Sequence, residues 1–165
     1  MFLVPDLEVN HVWELTPALL EARGITLLLA DLDNTLAPYG VAEPPEEVRS
    51  WAAALARAGI QLFVLSNSRR PGRAAEFAGR LGVPFLGRAG KPKTGGFRRA
   101  MEQMGRTPGQ TAMAGDQLFT DVWGTNNAGV LAVAVRPMRI DNAFRALRYG
   151  VEKPFRALCR RKEQV

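Results

Sequence analysis

Short apolar runs separated by helical patterns set the rhythm of this chain. Ile25–Asp31, Ile60–Ser66, the stretch that closes on Met113–Gly115, and Val130–Val135 are rich in Val, Ile or Leu and do not alternate with polar residues. Strands covered by helices on both faces of a parallel sheet read this way. Val83–Leu86 is a candidate for a further strand. Between the runs lie helical patterns over Glu46–Ala58, which follows Glu-Pro-Pro, over Arg73–Leu81 after the start signal Pro71-Gly72, and over Phe97–Met104, with a short one after Phe119. Strand and helix in alternation predict an α/β fold, a doubly wound, mostly parallel sheet flanked by helices. In such sheets ligands bind outside the carboxyl ends of the strands.

The strand ends share a chemical character. One run stops at Asp31-Leu-Asp33, a second at Ser66-Asn67-Ser68, and a third at Gly115-Asp116, with Asp121 five residues on. Parallel strands bring these ends to one edge, where the carboxylates crowd into one crevice. That costs several kcal/mol in repulsion and desolvation unless a cation is present. Hard oxygen ligands with open positions suit Mg²⁺, an ion that commonly works with phosphate substrates.

Composition narrows the chemistry. A single histidine, His11, speaks against a histidine-built metal centre or a Ser-His-Asp triad, and a single cysteine, Cys159, excludes an internal disulfide and fits a reducing compartment. The apolar runs are too short to span a bilayer, and the N-terminal stretch lacks the pattern of a signal peptide, so the expected location is the cytoplasm. The 165 residues suit one domain, 1–165, whose last part, about 138–165, is basic. From Arg136 onward nine Lys/Arg stand against three Asp/Glu, a surplus that equals the net charge of +6 of the whole chain. The basicity is therefore a property of that segment.

The phrases DLDNT, LSNS, GKP and GDQLFTD, in that order, resemble the four motifs of the haloacid dehalogenase-like (HAD) phosphatases. The leader from Phe2 to Leu36, the phrase GDQLFTDVWGTNNAG and the basic tail are similar to the YqeG branch, subclass IIIA, which is itself similar to the mitochondrial-type phosphatidylglycerophosphate phosphatases. The resemblance implies Asp31 as the nucleophile that becomes an aspartyl-phosphate, and Asp33 as the acid and base that serves the leaving oxygen and then the attacking water. It implies Ser66, the Asn67 amide and Lys91 as phosphate-binding groups. Mg²⁺ is to be held by Asp31, the Asp33 backbone carbonyl and Asp116, with support from Asp121. Thr35 is to brace the loop with its hydroxyl, and Gly115 to let the backbone pass close to the metal.

Plainer readings stand beside some of these roles. Asp121 also suits the first turn of a helix, Ser68 a helix cap, and Lys93 solvent; Asn126 suits a contact to the Asp116 loop or a cap. The intervals from Asp33 to the second strand and from Ser68 to Lys91 are too short for a cap domain. An open site should accept a phosphate carried on something bulky. In the tail, FRAL recurs eleven residues apart, so Phe144, Leu147, Phe155 and Leu158 share a helical face, although Gly150 and Pro154 argue against one unbroken helix. Two readings are open: two short helices docked on the sheet, or a basic amphipathic element on anionic lipid at the inner face of the cytoplasmic membrane.

The expected activity is therefore Mg²⁺-dependent hydrolysis of a phosphomonoester, with phosphatidylglycerophosphate as substrate. The alternatives are a nucleic-acid end, a nucleotide or a sugar phosphate as substrate, or a basic RNA- or ribosome-binding protein on a HAD scaffold. Nucleic acid is the weaker partner, because no stacking motif of basic and aromatic residues is present.

Overall fold

The structure, a computed structural model, describes residues 2–70 and 72–162. Six strands, β1 (Leu7–Val9), β2 (Leu27–Ala30), β3 (Gln61–Leu65), β4 (Phe85–Leu86), β5 (Thr111–Gly115) and β6 (Leu131–Val135), form one sheet in the order β1-β6-β5-β2-β3-β4. Every neighbouring pair is parallel. The helices are α1 (Pro17–Glu21), α2 (Glu46–Arg57), α3 (Arg73–Leu81), α4 (Gly95–Met104), α5 (Trp123–Ala128) and α6 (Ala143–Lys162). All five strands and four helical patterns expected from the apolar runs are present. Pro71, half of the expected start signal of α3, lies outside the described residues, as do 163–165 of the basic segment.

Successive residues of β2 enter opposite cores, which is why its sequence does not alternate. Leu28 and Ala30 join Val48, Trp51 and Leu55 of α2 and Phe77 of α3 on one face. Leu27 and Leu29 join Phe97, Ala100 and Met101 of α4 on the other. Burying each such Leu or Phe contributes roughly 1.5–3 kcal/mol. α2 begins after Pro45, has Glu46 and Glu47 in its first turn and Arg57 in its last, and so complements its own dipole. Between β2 and β3 the chain forms a loop and α2 only, so no cap domain interrupts it.

β1 and α1 have no counterpart in the expected pattern. β1 is three residues long, too short for periodicity to reveal, and pairs with β6 at the sheet edge. Asp6 pins that edge through Asp6 N–H to the Ala132 carbonyl (2.8 Å) and Ala132 N–H to its own Oδ2 (2.9 Å). α1 is a single short helix capped by the Thr16 hydroxyl.

The tail departs from expectation. It is neither two helices nor broken at Gly150 or Pro154: α6 runs through both. Pro154 has no N–H for the Gly150 carbonyl, four residues before, so the helix loses one hydrogen bond there. Tertiary packing compensates, since Glu152, Arg156 and Cys159 are buried and Phe155 packs against Leu118, Val122, Ala132 and Ala134. The docked surface thus combines buried polar residues with Phe155 and Cys159. Phe144, Leu147 and Val151 are left 73%, 69% and 50% exposed.

α4 crosses close to the segment that delivers Lys91, because a Cβ on Gly96 would lie 2.4 Å from the Ala89 carbonyl oxygen. Gly96→Ala should therefore lower the free energy of unfolding by about 1–3 kcal/mol. Urea denaturation checks this, and an unchanged midpoint would contradict the close approach.

Candidate active site

The site lies at the C-terminal ends of β2, β3 and β5, on either side of the point where the chain turns from building one half of the sheet to the other. The register aligns Ala30 with both Val64 and Ala114. Asp31, anchored by its N–H to the Ala114 carbonyl at 2.9 Å, therefore stands level with Gly115 and one residue short of Ser66.

Lys91 joins the acidic strand ends. Its Nζ donates to Asp31 Oδ1 (2.8 Å) and the Leu65 carbonyl (2.8 Å), and lies 2.7 Å from Asp121 Oδ1. All three charged side chains are buried. Burial, against the pull of Lys91, raises the Asp31 carboxyl from 3.8 to about 6. Burial raises Asp116 well above its ordinary value too, aided by the charges of Asp31 and Asp121. Burial alone would lower Lys91, but Asp121 and Asp31 hold it above its usual range.

Asp31, Asp116 and Asp121 each offer an oxygen within 4.8 Å of the others. Asp116 Oδ1 is buried with no hydrogen-bond partner. A buried carboxylate oxygen without a donor, in a cluster that resists ionisation, fits a divalent cation bound by hard oxygens. Gly115 is needed because a Cβ there would lie 2.3 Å from the Asp121 carboxyl, so the Gly115 backbone is the floor on which that side chain rests.

Asp33 does not join this trio. Its Oδ1 accepts from Arg73 at 2.7 Å and from the Gly40 N–H at 3.2 Å. The Asp31–Ala37 loop closes through backbone bonds, Asn34 N–H to the Ala37 carbonyl (2.7 Å) and Leu36 N–H to the Leu32 carbonyl (3.0 Å). The Thr35 hydroxyl, expected to brace it, is buried without a hydrogen bond, so the main chain does that work. Asn34 takes the left-handed conformation (φ 63°) that the tight loop requires.

Ser66 is buried at the end of β3 and lines the cavity with Asp31, Asp33 and Asn67. Ser68 does not cap α3, whose N-cap is Gly72; its hydroxyl accepts from Arg70 N–H (3.3 Å), while its own N–H donates to Ser66 Oγ (3.1 Å). The Asn67 side chain and the Lys91 backbone bond each other reciprocally, both at 2.9 Å, so Asn67 can offer an anion only its backbone N–H. Lys93 is exposed. Asn126 is far from either expected use: it donates to the carbonyls of Phe2 and Val4 and fastens the N-terminal segment.

α6 brings residues that motif reasoning missed. The Leu118 N–H donates to Glu152 (3.0 Å), Arg156 donates to the Asp116 and Val135 carbonyls, and Arg148 lies 3.5 Å from Asp116 Oδ2. Burial raises Glu152, with Arg156 opposing it. Asn142, Phe144, Arg145 and Arg148 complete a cavity of about 520 Å³ above Asp31. The spacing of Glu152 and Arg156 by four was the available signal, and Arg156 lies inside the second FRAL, whose apolar residues obscured it. Arg73 gave no signal at all, being one arginine among several in α3 and its approach.

Comparison with known proteins gives a consistent family. Residues 7–129 match the haloacid dehalogenase-like hydrolases. "Probable phosphatase YqeG" of Bacillus subtilis (strain 168) is 32% identical over 143 residues, 87% of this chain and 83% of that protein. The cobalt-bound deoxy-D-mannose-octulosonate 8-phosphate phosphatase (YrbI) of Haemophilus influenzae superposes with a TM-score of 0.55 at 23% identity, over 68% of this chain and 69% of its own. A proposed HAD superfamily (subfamily III A) hydrolase of Legionella pneumophila does so with a TM-score of 0.53 at 18% identity, over 88% and 92%. At these identities the two solved structures are alike in fold.

A carboxyl raised on folding holds its proton where the unfolded chain has lost it, so stability falls as pH climbs from about 4 through about 6. Asp31→Asn cannot ionise. In chelator, its stability relative to the parent should grow across that window, and melting curves at several pH values read the difference. Divalent cation should raise the parent's melting temperature at about pH 7.5, where the carboxylates ionise, and leave it nearly unchanged at about pH 4. A parent indifferent to cation at the higher pH would contradict the metal-binding reading of the trio.

Proposed function

We propose that this chain, which belongs to the haloacid dehalogenase-like hydrolases and is a phosphatase, works in two steps through an aspartyl-phosphate on Asp31. The observation that carries this reading is the buried cluster in which Lys91 clasps Asp31 and Asp121 beside Asp116. Mg²⁺, held by Asp31, Asp116, Asp121 and the Asp33 backbone carbonyl, would offset the repulsion between carboxylate and phosphate and polarise the phosphoryl oxygens.

With Oδ1 fixed by Lys91, Asp31 presents Oδ2 to phosphorus. The bond from phosphorus to the leaving oxygen breaks as Asp33 gives that oxygen a proton. Asp33 Oδ1 is occupied by Arg73 and Gly40, which leaves Oδ2 to carry the proton. Ser66 and the Asn67 backbone N–H hold the equatorial oxygens, and the Lys91 charge offsets the charge that redistributes onto them. Asp33, now a carboxylate, then takes a proton from water, which attacks the phosphorus and returns Asp31 and inorganic phosphate.

The finer reading is a lipid substrate, phosphatidylglycerophosphate, turned over at an anionic membrane on the cytoplasmic side. Among the described residues no helix is long and apolar enough to cross a membrane. The site has no cap domain above it, and the exposed Phe144–Leu147–Val151 stripe of α6 begins at its mouth. Basic residues flank that stripe, each worth about 1 kcal/mol near an anionic surface. The helix can lie on such a surface while the cavity faces the headgroups.

Asp31→Asn should lower Mg²⁺-dependent phosphate release from an aryl phosphate by at least about a thousandfold; unchanged turnover would remove Asp31 from the chemistry. The lipid reading predicts that Phe144→Ser/Leu147→Ser weakens co-sedimentation with anionic vesicles and slows turnover of phosphatidylglycerophosphate in them, with the aryl phosphate as comparison. A soluble sugar phosphate or nucleotide hydrolysed faster than the lipid would replace it as substrate.

A further inference from the structure

The cavity above Asp31 is lined by four arginines, Arg69, Arg70, Arg145 and Arg148, although the phosphate-handling motifs call for none of them. Some of that charge is answered within the protein. Arg148 faces Asp116 (3.5 Å) and Glu152 (3.9 Å), and Arg145 pairs with the half-exposed Asp141 one turn earlier. Arg69 and Arg70 differ: among the described residues no carboxylate forms an ion pair with either.

Tyr39, from the loop that leaves the Asp31–Asp33 strand end, gathers two of these cations. The Arg145 guanidinium lies 4.2 Å from the ring centroid and that of Arg70 lies 5.3 Å from it. The attraction of a cation to an aromatic face is modest where solvent reaches it, and two guanidiniums at one ring repel each other. An anion seated beside them turns that repulsion into attraction, and a guanidinium's planar set of donors matches a phosphodiester or a carboxylate. The two arginines come from opposite ends of the chain's path over the site, Arg70 from the loop after β3 and Arg145 from the first turn of α6. Only the folded cavity brings them to one ring.

We propose that Arg70 and Arg145, collected by Tyr39 and backed by Arg148, form a subsite for a second anionic group of the substrate. The enzyme then prefers phosphomonoesters whose leaving group carries another fixed negative charge a few bonds from the scissile ester. This rests on the phosphatase reading of the neighbouring carboxylates, and it does not depend on acyl chains. A lipid headgroup can supply the charge as a phosphodiester, and a soluble sugar or glyceric acid phosphate can supply it as a carboxylate.

The test compares three soluble substrates with the full chain and Mg²⁺: glycerol 3-phosphate, whose leaving group is neutral; 3-phosphoglycerate, with a carboxylate; and glycerophosphoglycerol phosphate, with a phosphodiester and no acyl chains. At least one of the anionic pair should exceed glycerol 3-phosphate in kcat/KM by about tenfold or more, and the excess should shrink as salt rises. Whichever of the two is preferred identifies the source of the charge. In Arg70→Gln and in Arg145→Gln the ratio should move toward one; Arg70 is exposed on a loop, so its replacement tests the subsite without loading the core. Equal kcat/KM for all three in the parent overturns the subsite and leaves the phosphatase reading standing. A preference that survives both substitutions overturns the assignment to these arginines. Hydrolysis of none of the three overturns the reaction, and the subsite with it.

Discussion

A lysine ammonium buried among carboxylates at the end of the central strand is the constraint on which the rest of this structure depends. Lys91 reaches Asp31, Asp121 and the Leu65 carbonyl at once, so it ties together the ends of β2 and β3 and the turn after β5. Removing either sign of charge would leave the other buried and unpaired, which is far costlier than the pair itself. Even with Lys91 in place the acidic side is in excess, and burial, aided by the repulsion among the carboxylates, keeps Asp31 and Asp116 raised. The cluster is thus held together and left one cation short, which is the electrostatic condition for admitting a metal and a phosphate.

A second set of charges holds that cluster from outside. Arg73 of α3 occupies one oxygen of Asp33, so this carboxylate faces the cavity without joining the acidic trio. Arg156 of α6 donates to the Asp116 carbonyl and lies 3.4 Å from Glu152, whose carboxylate accepts from the Leu118 N–H. The last helix is therefore attached to the sheet by buried polar contacts together with Phe155 and Cys159, while its Phe144–Leu147–Val151 stripe stays exposed. This attachment makes α6 a wall of the cavity, so a site with no cap domain among the described residues still has a rim.

Much of this was legible in the residues. The apolar runs mark five of the six strands, four of them because they are buried on both faces, and the carboxylates and hydroxyls at their ends mark the edge where they meet. β1 escaped because three residues carry no period. The unbroken course of α6 escaped because Gly150 and Pro154 speak locally against a helix, whereas Glu152, Arg156 and Cys159 decide the matter through contacts distant in sequence. The same distance hid Arg73 and Tyr39, whose partners lie thirty and more residues away. Thr35 shows the opposite error: its hydroxyl looked like the brace of the loop, but main-chain bonds already close it.

The central claim, that Asp31 takes the phosphoryl group, has a direct chemical readout. Protein quenched in acid during turnover of a phosphomonoester can be digested and its peptides examined by mass spectrometry, with borohydride reduction converting any aspartyl-phosphate to homoserine. A hydroxylamine-labile phosphoryl group is expected on the peptide that carries Asp31, and homoserine at position 31 after reduction. Steady phosphate release with no adduct, or with the phosphoryl group on another residue, would contradict it.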